Sequence, residues 1–312
     1  MSFTIVPLHN LDLPTTLPIA FGSEFVLQTM PEWVARDAML SHLSYQDRTS
    51  VQRAKHVLVA EYPASAIGEL DPASGEKEPQ SIQDSKSEAA MMANLALWLA
   101  QPSSTCFTSL FHALDLDVLG SPDKKPTILR LETRSPLFCH PDDLERKISI
   151  DQVVEAGELF NALRSIPRKN AIWTAVRSVW GALITPASDI RYSFYWIGLE
   201  SMFGPDGNSG EITYKLSQRI AFFISKSKDQ ARETFRKTRD CYSTRSQIVH
   251  GRWEGQPKMN ALMATTESIV RSALQRVLNE PELLQKFVSK ERDRFLEDMV
   301  FSRYGELPHV GH

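Results

Sequence analysis

From residue 149 onward the chain repeats one pattern, with apolar positions three and four apart and breaks at Pro, Gly or short polar turns. That spacing places the apolar side chains on one face of an α-helix. The segments SIDQVVEAGELFNALRSI, NAIWTAVRSVWGALI, PASDIRYSFYWIGLESMFG, EITYKLSQRIAFFIS, DQARETFRKTRDCYSTRSQIVHG and MNALMATTESIVRSALQRVLN all carry it, and together they predict a helical bundle. The third contains Phe194, Trp196, Ile197, Leu199, Met202 and Phe203. It is too apolar for a surface helix and is expected at the centre. The FGPDGNSGE that follows reads as a loop.

Before residue 149 the texture is mixed. PIAFGSEFVLQTM and RAKHVLVAEYPA contain β-rich apolar runs, and PTILRLETRSPL alternates as a half-buried strand does. DSKSEAAMMANLALWLAQP predicts one amphipathic helix, with Asp84 or Ser85 able to cap its start and Pro102 preventing its continuation. Between the second run and this helix, ASAIGELDPASGEKEPQSIQ has too little apolar surface to order itself and reads as a mobile loop. The fold class expected is therefore α+β. A mixed α/β domain over residues 1–148 precedes an all-α domain over 149–305 and a disordered tail over 306–312.

Composition adds limits. The chain has 312 residues, 42% of them apolar, enough for a sizeable core and better suited to two domains than one. No run approaches the length of a membrane span, and MSFTIVPLHNLDLP lacks the basic and apolar regions of a secretory signal, so a cytoplasmic protein is expected. Cys106, Cys139 and Cys241 are odd in number and far apart, which argues against a disulfide framework and a sulfur-rich zinc site. The histidines His42, His56, His112 and His140 show no metal-ligand spacing, the terminal PHVGH reads as tail, and no phosphate-loop, dinucleotide or nucleophile-elbow motif occurs. No metal and no cofactor is expected.

Charge is uneven. Residues 1–150 hold 12 Lys and Arg against 19 Asp and Glu, a balance of −7, while 151–312 hold 23 against 19, or +4. Between Lys226 and Arg252 there are eight basic residues and three acidic ones. Such a run is either a solvated helix face or a surface for a phosphate-bearing partner. An acidic first half could cover a basic cleft in the second and hold it inactive.

The chemistry concentrates in CYSTRSQIVHGRW, Cys241 to Trp253. Phe235, Tyr242 and Val249 recur every seven residues, and Arg245 falls on their stripe. A guanidinium keeps its charge, so Arg245 must meet a carboxylate, a phosphate or solvent in a cleft. His250 is expected on the last helical turn, with Gly251 ending the helix. On an ideal helix Arg245 and His250 lie about 140° apart, so one helix does not stack them. A second copy related by two-fold symmetry could bring both pairs into one cleft. Imidazole and guanidinium there suit metal-free cleavage of RNA, where the 2′-hydroxyl is an internal nucleophile. The alternative is structural: Arg245 pairs with an acid such as Glu200, and His250 caps the helix.

YSTRSQIVHG resembles the RxxxxH signature of HEPN domains, with polar Ser246 after the Arg, Tyr242 before it and Gly251 after the His. RYSFYWIGLESMFGPDGNSGEITYKLSQRIAFFIS is similar to the two preceding helices of the Apea-like HEPN branch. The resemblance covers residues 165–290 and, weakly, the first half. It implies a four-helix core, a homodimer that joins two signatures, and metal-independent endoribonuclease activity leaving a cyclic phosphate. Phage defence, toxin systems with a regulatory protein partner, and RNA processing are the roles it implies. Carried over by position, Arg245 and His250 are the catalytic pair, Ser246 and Tyr242 support them, and Glu200 holds the Arg. Some members of the family lack activity and serve as dimerisation or RNA-binding modules. RNA contacts are expected from Lys237 and Arg239 in the basic helix and from Arg252 after the signature, with Trp253 either stacking on a base or packing in the core. Lys215 and Arg219 either line the site or are exposed.

Overall fold

The computed structural model describes residues 1–13, 18–30, 44–63, 82–114, 127–205, 212–252 and 259–304. The expectations for residues 64–81, for 206–211 after Pro205, for His42, Trp253 and the tail lie outside the described residues. The fold is α+β, and the chain divides into two compact units, Met1–Arg164 and Ser165–His312.

The first unit is built on strands β1 (Ser2–Leu8), β2 (Ile19–Phe21), β3 (Phe25–Thr29), β4 (His56–Tyr62), β5 (Ser109–Leu114) and β6 (Thr127–Thr133). They form one sheet in the order β2-β3-β4-β1-β5-β6, with each neighbouring pair antiparallel. Helices α1 (Tyr45–Arg53), α2 (Ile82–Ala100) and α3 (Ile150–Ser165) belong to this unit. Register sorts the side chains by face, because neighbours along a strand point to opposite sides. Ile5 stands opposite Val59 and Phe111, and Ile5, Val57, Phe111 and Ala113 join Met30, Val51 and Ala54 in an apolar cluster. Thr4, opposite Ala60 and His112, marks the other face. Helix α2 meets that face, where Ser87 Oγ lies 3.1 Å from His112 Nε2.

Two expectations for α2 are corrected. It is not one-sided: Met92 through Ala100 are buried without a break, as in a helix enclosed by the core. Its first residue is Ile82, so Asp84 and Ser85 lie inside the helix rather than capping it, and Asp84 bonds Arg130 Nη1 at 2.8 Å.

The division after Arg164, rather than at 148, also has a packing cause. Phe160 of α3 sits against Phe21 and Phe25, with ring centroids 5.8 and 5.7 Å away. Between those strands Gly22 adopts φ +60°, and a Cβ there would stand 2.4 Å from the Phe160 ring. Asn161 Oδ1 accepts from the Ser23 N–H at 2.8 Å, and Glu24 binds both Arg164 and Lys86. Helix α3, expected to open the bundle, is thus fastened to the sheet.

The second unit contains α4 (Ala171–Leu183), α5 (Ser188–Phe203), α6 (Ile212–Ile224), α7 (Lys228–Val249), α8 (Met259–Asn279), α9 (Pro281–Val288) and α10 (Arg292–Tyr304). Helix α5 is central: Tyr192, Tyr195, Trp196, Leu199, Met202 and Phe203 are buried. Ile197 departs from its expected core position and is 40% exposed. Gly198 lets α4 approach, since a Cβ there would reach 3.4 Å from the Ala175 carbonyl. At one end Phe203, Phe223 and Phe287 pack with centroids 5.2 to 5.7 Å apart. Arg219 lies at this end and is buried, bonding Asp293 at 2.6 Å and the Phe203 carbonyl at 3.2 Å. No helix among the described residues is long and apolar enough to cross a membrane.

Candidate functional site

Helix α7 carries the signature. Ser227 caps its start by accepting from the Gln230 N–H. Its buried residues are small, namely Ala231, Thr238, Cys241 and Thr244. The helix packs mainly against α6 and also against α5, from which Tyr192 donates its hydroxyl to the Cys241 carbonyl at 2.7 Å. The seven-residue stripe is only partly buried: Phe235 packs against the Tyr214 ring of α6 at 5.4 Å, Tyr242 is half-buried, and Val249 is 53% exposed.

Arg245 lies on this stripe. Its Nη2 is 3.0 Å from Glu200 Oε1 and 3.1 Å from Oε2, so the carboxylate that meets the guanidinium comes from the central helix α5. The side chains keep 22% and 28% of their exposure, respectively. The guanidinium also rests 5.7 Å from the Tyr242 ring centroid, in the range of a cation–π contact. The Tyr242 ring is held by the edge of Trp196 at 5.2 Å. Its hydroxyl bonds Glu200, and burial together with the Glu200 charge raises its pKa above the usual phenol value, with Arg245 opposing. Glu200 and Tyr242 thus fix one end of the guanidinium. Nε is buried and makes no hydrogen bond among the described residues.

His250 is placed differently. It is the C-cap of α7, and its N–H bonds the Ser246 carbonyl at 3.1 Å. Gly251 follows at φ +64°, donating to Ile248 O at 3.0 Å, while Arg252 donates to Gln247 O at 2.8 Å. These two bonds form a Schellman closure, in which the left-handed residue returns the chain onto the last turn. The His250 side chain is exposed and makes no hydrogen bond among the described residues. Ser246 meets His250 through the backbone, its carbonyl accepting from the His250 N–H.

The basic residues separate by helical angle. At about 100° per residue, Lys228, Arg232, Arg236 and Arg239 fall within an arc of about 80°, and Ser246 and His250 continue it. All four cations are exposed, so they form a ridge running to the imidazole. The signal was the three- and four-residue spacing of the basic positions. Lys237 lies off this ridge and is paired with Glu233 at 2.6 Å. Arg252 is exposed just beyond the helix end, and Lys215 is exposed on α6.

No protein-family model matches the chain, and no curated protein and no solved structure matches it. The HEPN resemblance consequently rests on the residues quoted from the sequence.

Proposed function

We propose that the second unit is a metal-independent endoribonuclease of HEPN type that works as a homodimer. The observation that carries this reading is the contrast within one helix end: a guanidinium held by Glu200 and Tyr242, and an exposed imidazole five residues on, reached by a ridge of cations. In cleavage, the 2′-oxygen attacks phosphorus as its proton passes to an imidazole. The P–O5′ bond breaks and the leaving oxygen takes a proton from an imidazolium. Arg245 stabilises the added charge on the phosphorane, and the product ends in a cyclic phosphate. One imidazole can take the 2′-proton and return it to the leaving oxygen, while the wide angle between Arg245 and His250 on one helix calls for a second copy of α7 in the same cleft.

Exposed Arg232, Arg236 and Arg239 are suited to draw the RNA backbone along α7 by charge, with Arg252 at its end. Phage defence or a toxin system, in the cytoplasm and with a regulatory protein partner, is the setting that accords with this activity. A second reading has a specific observation in its favour, since Arg245 already has a counter-ion: the unit then binds RNA or dimerises without cutting.

The two are separated by incubating the full chain with end-labelled RNA in EDTA, beside Arg245→Ala and His250→Ala. Cleavage by the parent and by neither variant supports the nuclease. Retention of RNA by all three without cleavage supports the binding module and overturns the nuclease.

A further inference from the structure

A row of polar side chains crosses the sheet of the first unit beneath the start of α2. His112 of β5 is its centre and is 0% exposed. Its Nδ1 lies 3.0 Å from the Thr4 hydroxyl of β1 and 3.3 Å from the Tyr62 hydroxyl of β4. Its Nε2 lies 3.1 Å from Ser87 Oγ of α2 and 3.5 Å from Glu132 Oε1 of β6. Ser87 Oγ lies 2.8 Å from both the Glu132 carboxylate and the Gln83 carbonyl. One proton order satisfies the row: a hydroxyl of Thr4 or Tyr62 donates to Nδ1, Nε2–H donates to Ser87, and Ser87 donates to Glu132. That order needs a neutral imidazole.

The serine and imidazole have the spacing of a nucleophile and its base, but a histidine with no exposed surface meets no substrate. What the row does is join α2 to four strands. Its charges are already balanced. Glu132 pairs with Arg130 at 2.9 Å and with Arg134, and Arg130 also pairs with Asp84. Two carboxylates face two guanidiniums, so a proton on His112 adds a charge without a free partner. The other ionisable groups on this stretch of α2 are Lys86, bound to Glu24, and Glu88, which is buried.

We propose that His112 is an acid-released latch: neutral, it ties the first turns of α2 to β1, β4, β5 and β6, and protonation frees that end of the helix. A second proton on the ring turns Nδ1 from acceptor to donor, so the Thr4 and Tyr62 hydroxyls lose the acceptor they shared. Burial holds the imidazole below its usual value of 6.5, with Glu132 opposing the shift and Arg130 adding to it. The sign follows: the unfolded chain takes up the proton near 6.5 and the folded chain does not. The latch therefore contributes fully above that pH and its contribution is lost as pH falls below it.

The test uses the full chain and no RNA, so its outcome is independent of the nuclease reading. Amide exchange in residues 82–90, corrected for intrinsic rates and referred to α5, is measured at pH 7 and pH 5 beside an imidazole NMR titration of His112. The expected result is a neutral His112 at pH 7 and about tenfold faster exchange at pH 5, as its protonation sets in. His112→Gln, which cannot take the charge, is expected to lose the pH response. A protonated His112 at pH 7, equal protection at both pH values, or the same response in His112→Gln overturns the latch. If that variant fails to fold, the titration and exchange of the parent decide alone.

Discussion

His112 and His250 are the same residue in opposite circumstances. His112 has neighbours on both ring nitrogens and no exposed surface, whereas His250 ends a helix with its side chain in solvent and no hydrogen bond among the described residues. A buried, satisfied polar group holds a fold together, because removing one partner leaves the others desolvated and unpaired. An exposed and uncommitted imidazole contributes little to folding and is free for chemistry. The difference gives the first an architectural role and leaves the second available for the proposed reaction.

The comparison sharpens most at His250 itself. His250→Ala is expected to lower RNA cleavage by about 10²–10⁴-fold, as for loss of a general acid or base. The same change is expected to shift stability by less than about 0.5 kcal/mol, checked by denaturant unfolding. Next comes Gly22, where the left-handed backbone and the Phe160 ring together refuse a side chain. Gly22→Val is expected to destabilise the first unit by about 3 kcal/mol, read as a lower unfolding midpoint. Equal stability would mean that α3 is not fastened to the sheet as described.

Glu200→Gln keeps the shape of the clamp and removes its charge. It is expected to reduce cleavage about 10–100-fold, with RNA binding retained; unchanged cleavage would show that Arg245 needs no holding. Gly251→Ala meets no atom within 4 Å, so the loss is that of the left-handed backbone alone, about 1 kcal/mol in thermal or chemical unfolding. The smallest contrast lies between two cations two residues apart. Arg239→Ala is expected to lower the salt dependence of RNA binding by about one phosphate contact, whereas Lys237→Ala, already engaged by Glu233, is expected to leave it nearly unchanged.

Most of the helical unit was legible because its apolar spacing is local. The six segments read from periodicity match α3 through α8 closely, and the Arg245–Glu200 contact was open to inference because few acids lie within apolar helices. What periodicity could not tell is which side of α7 is buried. Small Ala231, Thr238, Cys241 and Thr244 are the buried residues, whereas Phe235 and Tyr242 pack by their ring edges against Tyr214 and Trp196 and stay half-buried, and Val249 is exposed.

The sheet was harder to read. Its strand β1 pairs on both sides, yet SFTIVPL contains a proline, which ordinarily argues against a central strand. The β5 ladder covers only Ser2–Ile5, so Pro7 stands where just one neighbour must be satisfied. The His112 row left no trace in the sequence, since Thr4, Tyr62, Ser87, His112 and Glu132 come from five elements and meet only when the sheet has formed. Helix α3 was visible as a helix, but its attachment depends on Gly22 and Glu24, more than a hundred residues earlier.

The most direct test of the shared cleft uses two inert chains. Arg245→Ala and His250→Ala chains with different tags are co-expressed, purified as the mixed dimer and given end-labelled RNA in EDTA. Because that dimer retains one intact Arg245 and one intact His250, the account requires cleavage well above that of either variant alone, ending in a cyclic phosphate. A mixed dimer as inert as both variants, beside a parent that cuts, contradicts it.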